Sequence, residues 1–112
     1  MRPLSELPVL IAQGGPLNGQ RWGIAGKLEV GRDQACQIMI PDRQVSRFHA
    51  RLTVLAEGVS LEDLGSKNGT FLNGQKITKP EIINDGDTIQ IALIQDLYFL
   101  SSDATLPLTQ QI

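Results

Sequence analysis

Ala50-Arg51-Leu52-Thr53-Val54-Leu55-Ala56-Glu57-Gly58-Val59-Ser60-Leu61-Glu62 is the stretch whose pattern decides the fold. From Ala50 to Val54, apolar residues alternate with Arg51 and Thr53. Val59 and Leu61 alternate in the same way with Ser60 and Glu62, after a turn signal at Glu57-Gly58. A period of two puts the apolar side chains on one face of an extended chain, which fits antiparallel strands with one buried face. Moving outward, Ile89 and Ile91 alternate with Thr88 and Gln90, and Asn73-Gly74 separates Thr70-Phe71-Leu72 from Gln75-Lys76-Ile77. Asn-Gly between two such runs is the signature of a two-residue hairpin whose turn residues both need positive φ. Asn84-Asp85-Gly86-Asp87 supplies another turn before the Ile89 run. Further strands are expected near 8–13, 20–25, 27–31, 37–40 and 96–100. The 11 glycines and 6 prolines fall between short apolar runs, and no window carries an apolar stripe at helical spacing. About ten short strands at this spacing imply an all-β sandwich or barrel.

A chain of 112 residues is expected to form one domain, with its core over about 8–100 and a loose polar tail at 101–112. The 41% hydrophobic content can fill such a core, and 20% charged residues with a net charge of −2 argue against disorder. The same charge balance argues against a dedicated nucleic-acid binder, which carries a strongly basic face. A single cysteine, Cys36, excludes an internal disulfide and suggests a reducing compartment, with the thiol as a small half-buried apolar group. The apolar run Val9 to Ala12 is too short for a signal segment, and no stretch approaches membrane-spanning length. A soluble, cytoplasmic protein is the expectation. One histidine, one cysteine and no clustered carboxylates leave no nucleophile–base pair or metal site. The chain therefore reads as a non-enzyme without a cofactor or small-molecule substrate.

Three loops hold the chemistry. The first begins Gly31-Arg32-Asp33, the second is Pro41-Asp42-Arg43-Gln44-Val45-Ser46-Arg47-Phe48-His49-Ala50, and the third is Leu64-Gly65-Ser66-Lys67-Asn68-Gly69-Thr70. Each lies at a strand end. If they converge, Arg32, Ser46, Arg47 and Lys67 meet beside backbone N–H groups, which is anion chemistry. Guanidinium forks match phosphate oxygens, a hydroxyl donates one more bond, and lysine adds a point charge. Spacing alone does not establish the convergence.

Residues from about 8 to 100 resemble a forkhead-associated (FHA) domain. The matching stretches are Gly31-Arg32, Ser46-Arg47-Phe48-His49-Ala50, Asp63-Leu64-Gly65-Ser66-Lys67-Asn68-Gly69-Thr70 and Asn73-Gly74, in the family's order and spacing. The resemblance implies a β-sandwich of about eleven short, mostly antiparallel strands that binds phosphothreonine peptides. It assigns Arg32 to the phosphate, Ser46 to a hydroxyl bond with a phosphate oxygen, Arg47 to a further phosphate contact and Asn68 to the peptide backbone. Gly31, His49, Gly69 and Asn73 would shape or brace the site, His49 as a structural loop brace rather than a catalyst. Lys67 departs from the pattern, standing where several members carry a serine or threonine that also bonds the phosphate. Arg43 reads as a loop-tip charge, and Trp22 and Tyr98 as packing residues.

The implied partner is a phosphothreonine-containing protein, in trans or within the same polypeptide, with no nucleic acid and no membrane involved. A phosphate-independent scaffold or self-association module is the alternative. The tail adds a smaller expectation: Thr105, with Leu108 three residues beyond, could be phosphorylated and dock into such a site.

Overall fold

A computed structural model of the chain describes residues 7–102. Eleven strands make up its regular structure: β1 Val9–Gln13, β2 Arg21–Gly23, β3 Lys27–Gly31, β4 Ile38–Met39, β5 Ala50–Leu55, β6 Gly58–Asp63, β7 Thr70–Leu72, β8 Gln75–Lys76, β9 Glu81–Ile83, β10 Thr88–Ile91 and β11 Gln95–Leu100. They form a six-stranded sheet, in the order β2-β1-β11-β10-β7-β8, and a five-stranded sheet, β4-β3-β5-β6-β9. All pairings are antiparallel except β3 with β4. Alternation left a sandwich or a barrel open, and the chain forms the sandwich that the resemblance implied.

The alternating stretch that opened the sequence reading is the β5–β6 hairpin, with Leu52 opposite Leu61 and Val54 opposite Val59. Leu55 pairs with Gly58, so the turn residues are Ala56-Glu57, one step earlier than the Glu57-Gly58 reading. Leu52 and Leu61 are fully buried, and Leu10, Ile89, Leu97 and Phe99 meet them from the facing sheet side of the core. Each fully buried Leu, Ile or Phe contributes about 1.5–3 kcal/mol relative to leaving it in water. The opposite face of the five-stranded sheet is polar at its centre, with Met39 and Ile82 exposed on its edge strands. There Arg51 on β5 bridges Glu29 on β3 at 2.7 Å and approaches Glu62 on β6 at 3.9 Å. Trp22 packs partly buried against the core.

β9 is a strand the alternation did not reveal. Ile82 and Ile83 are adjacent apolar residues, only Ile83 is buried, and the strand is three residues long at a sheet edge. The Asn73-Gly74 hairpin forms as expected, with φ of 51° and 86° and Leu72 opposite Gln75. All four edge strands, β2, β8, β4 and β9, are two or three residues long. From residue 103 onward the tail, with Thr105 and Leu108, lies outside the described residues.

Strand directions gather two groups of connections. The ends of β3 and β6 and the starts of β5 and β7 lie together, so the β3–β4, β4–β5 and β6–β7 loops share one end of the sandwich. The β5–β6 hairpin turn, Asn73-Gly74 and Asn84–Asp87 lie at the other.

Candidate functional site

The three loops singled out in the sequence are joined by hydrogen bonds at that first end. The backbone N–H of Arg32 donates to the carbonyl of Ser46 (3.0 Å), and that of Asp33 to the carbonyl of Arg47 (3.1 Å). These bonds zip the start of the β3–β4 loop onto the β4–β5 loop. Gly31 makes the approach possible: a Cβ there would lie 2.1 Å from the Arg47 carbonyl oxygen. The Cys36 thiol, buried just beneath, donates to the same oxygen at 3.4 Å, and burial pushes its pKa up.

Arg32 is exposed, and its Nε donates to the Val45 carbonyl at 3.1 Å. That bond fixes the guanidinium plane while its two terminal nitrogens keep their donors. Ser46 sits at the junction with the third loop. Its Oγ accepts a bond from the Lys67 N–H at 3.0 Å, which leaves the hydroxyl proton as a donor for a ligand. The Asn68 side-chain amide donates to the Gln44 carbonyl at 2.8 Å, a second stitch between the β6–β7 and β4–β5 loops. Arg32, Ser46, Lys67 and Asn68 thus converge on one end.

His49 lies under this junction, fully buried. Its Nδ1 accepts from the Ser46 N–H (3.1 Å), so the proton sits on Nε2, which donates to the Gly69 carbonyl (2.8 Å). Burial pushes its pKa down and outweighs the Gly69 bond and the nearby Asp63 charge, which act the other way. The ring is therefore a neutral strut between the second and third loops. The same Gly69 carbonyl accepts the N–H of Ala92, which ties in the β10–β11 turn. Gly69 itself has φ of 91°, a conformation that a side chain would strain.

Asp63 organises the third loop, a role the sequence reading did not assign. Its carboxylate accepts bonds from the N–H groups of Gly65 (3.0 Å) and Ser66 (2.9 Å) and from the hydroxyls of Ser66 (2.5 Å) and Thr70 (2.7 Å). Burial alone would raise its pKa, but the bonds from Ser66 and Thr70 hold it below the ordinary value. Ser66 in turn accepts the Gly69 N–H at 2.9 Å. The signal was present in Asp63-Leu64-Gly65-Ser66, since aspartate followed two residues later by glycine is Asx-turn chemistry.

Three other residues differ from the plain expectation. Arg47 does not stand free: its guanidinium is paired with Asp33 at 2.9 Å. Lys67 enters the junction through its backbone, while its side chain is exposed without an ion-pair or hydrogen-bond partner among the described residues. Asn73 was expected to shape the site, but its side chain bonds Asp87 (3.0 Å) and the N–H of Thr88 (2.9 Å) at the other end of β7. A strand of three residues separates it from Gly69, and it braces the turn before β10 instead.

The FHA domain family model matches residues 28–92. The chain is 38% identical over 81 residues to the ABC transporter ATP-binding/permease protein Rv1747 of Mycobacterium tuberculosis, covering 72% of this chain and 9% of that protein. It is 31% identical over 94 residues to the glycogen accumulation regulator GarA of the same species, covering 83% of this chain and 57% of that one. The chain thus spans about a tenth of the length of the transporter protein and just over half of GarA. Among solved structures, an FHA domain studied for phosphothreonine-dependent interactions superposes with a TM-score of 0.75 at 27% identity, over 84% of this chain and 95% of that one. The FhaA FHA domain, complexed with the intracellular domain of Rv3910, gives 0.73 at 28% identity, over 82% and 98%. Mycobacterium tuberculosis EmbR, in complex with a low affinity phosphopeptide, gives 0.80 at 25% identity, over 91% and 26%.

Proposed function

The chain belongs to the FHA domain family, and on that premise we propose that it is a non-enzymatic reader of phosphothreonine-containing protein segments in Ser/Thr-kinase signalling. The observation that carries the reading is the stitched junction of Arg32, Ser46 and the Lys67–Asn68 loop at one end of the sandwich. A phosphate seated there meets the terminal nitrogens of Arg32 and the Ser46 hydroxyl. Lys67 adds positive charge, Arg47 stands beside the junction, and Asn68 is placed to hold the peptide backbone. Gly31, His49 and Gly69 maintain the shape without touching the ligand.

The energetics are sufficient. A micromolar complex needs about −8 kcal/mol. Two or three charge-assisted bonds at about 1.5–3 kcal/mol each supply much of that, and peptide-backbone contacts add to it. The mechanism makes and breaks no covalent bond, so affinity is switched by the kinase and phosphatase that act on the partner. An intracellular setting, where such enzymes work and Cys36 stays reduced, fits this role. Whether the module acts alone or within a longer polypeptide, its contribution is recognition.

Isothermal titration with a phosphothreonine peptide and its unphosphorylated twin tests the reading. Tight binding of the first, none of the second, and loss of binding in a folded Arg32→Ala variant is the expected result. Equal binding of both peptides would point instead to a phosphate-independent scaffold.

A further inference from the structure

Asp33 carries the inference that the geometry supports furthest. Its side chain does two things at once. Oδ1 accepts the N–H of Ala35 at 2.8 Å, closing the turn that follows Arg32, and Oδ2 accepts the Arg47 guanidinium at 2.9 Å. The backbones of the two residues are also joined, since the Asp33 N–H donates to the Arg47 carbonyl. The ion pair is therefore positioned by the loops rather than met by chance. The Ala35 bond, then the Arg47 bond, hold the carboxyl below its ordinary pKa, and the Arg32 charge acts in the same direction. A carboxylate that ionises more readily than usual thus stands beside two cations, Arg47 and Arg32.

We propose that Asp33 is a specificity-determining residue, which raises the charge a ligand must bring so that a phosphate dianion binds and a lone carboxylate does not. This rests on the phosphothreonine reading above. A glutamate or aspartate side chain approaching Arg47 can only exchange one carboxylate for another, and so gains nothing by displacing Asp33. A phosphate brings about −1.5 to −2 charges and three acceptor oxygens, so it can engage Arg32 and Ser46 and still compete for Arg47. The pair can be displaced because the Arg47 side chain is 69% exposed, and exposed ion pairs are weakly held. The negative charge of Asp33 also repels every anion, and a monoanion has less attraction with which to overcome it. Without Asp33, two guanidinium groups and a lysine would accept acidic loops of many proteins.

The bland role for Asp33 is a turn cap alone. Asp33→Asn separates the two, because its amide oxygen can still cap Ala35 while the charge is gone. Fluorescence polarisation would compare wild type and variant on a phosphothreonine peptide and on the same peptide with glutamate in place of the phosphothreonine. The expected result is phosphopeptide affinity raised about fivefold, with the glutamate peptide passing from no measurable binding to measurable binding. In an Arg47→Gln background the gain shrinks to the part owed to through-space repulsion. A glutamate peptide that binds wild type, or that still fails to bind the variant, overturns the proposal, as does weaker phosphopeptide binding. Should Asp33→Asn melt early, Asp33→Ser, which also caps the turn without charge, gives the decision. If wild type itself does not distinguish phosphorylated from unphosphorylated peptide, the reader function fails first and this inference with it.

Discussion

At the far end of the sandwich the chain reverses through Ala56-Glu57, Asn73-Gly74 and Asn84–Asp87, whereas at the opposite end long loops are held by bonds between distant residues. The Asn84 N–H bonds the Asp87 carboxylate three positions on, within its own turn. At that opposite end, Arg32 reaches Val45, His49 reaches Gly69, Lys67 reaches Ser46 and Asn68 reaches Gln44, across 13, 20, 21 and 24 positions. Turns of the first kind start from their own residues, even where Asn73 then ties one to Asp87 and Thr88 across 14 and 15 positions. Loops of the second kind hold their shape only when the whole sandwich has closed, and this suits a surface that must present fixed donors to a ligand.

That contrast can be broken most severely at Gly31. In Gly31→Ala the added methyl meets the Arg47 carbonyl, so denaturant titration should show about 3 kcal/mol of lost stability. Phosphopeptide binding should vanish in the same variant, because the first two loops can no longer zip together. A folded, binding-competent Gly31→Ala would show that the close approach is dispensable.

His49→Ala comes next, at about 2–3 kcal/mol, because it leaves the Ser46 N–H and the Gly69 carbonyl without their partner. The pH dependence carries a defined sign. The folded pKa of His49 is depressed, so the unfolded chain takes up a proton first. Stability is full above the ordinary value of about 6.5 and falls as pH drops below it toward the folded pKa. His49 is the single histidine, so the slope between about pH 6.5 and 5 should flatten in His49→Ala. Urea midpoints measured across that range check it.

At the far end the two readouts should separate. Asn73→Ala loses its bonds to Asp87 and Thr88 and places alanine at φ of 51°. A cost of about 1–2 kcal/mol is expected with phosphopeptide affinity unchanged within about twofold. A large drop in affinity would return Asn73 to the site. The smallest effect is a gain. Ala92 and Leu93 form a two-residue turn with φ of 54° and 58°, although neither favours that region. Leu93 is 65% exposed, so Leu93→Asn should raise stability by about 0.5–1 kcal/mol in thermal melts.

The β5–β6 hairpin, the Asn73-Gly74 turn and the β10 strand were legible because their signals are local: alternation and an Asn-Gly pair. β9 was not, since its two isoleucines are adjacent and its placement depends on pairing with β6. The Ala92-Leu93 turn carried no local sign, and only its pairing context forces the conformation. For the proposed site, Arg32, Ser46 and Asn68 were singled out through motif resemblance. Their meeting depends on long-range bonds that no window of sequence displays. The Asp33–Arg47 pair was missed for the same reason: each residue looks like an ordinary surface charge until the loops close around it. The Asp63 hub is local, and its Asp-x-Gly signal was there to read.

The short rims of both sheets have a consequence for assembly. Each outermost strand offers only two or three residues of unsatisfied backbone. Such a rim is a poor template for a strand from another molecule, which protects an open sandwich from fibril growth and from swapping strands with its copies. It also means that two copies brought side by side, at high concentration or strung along one polypeptide, can crowd together without fusing their sheets.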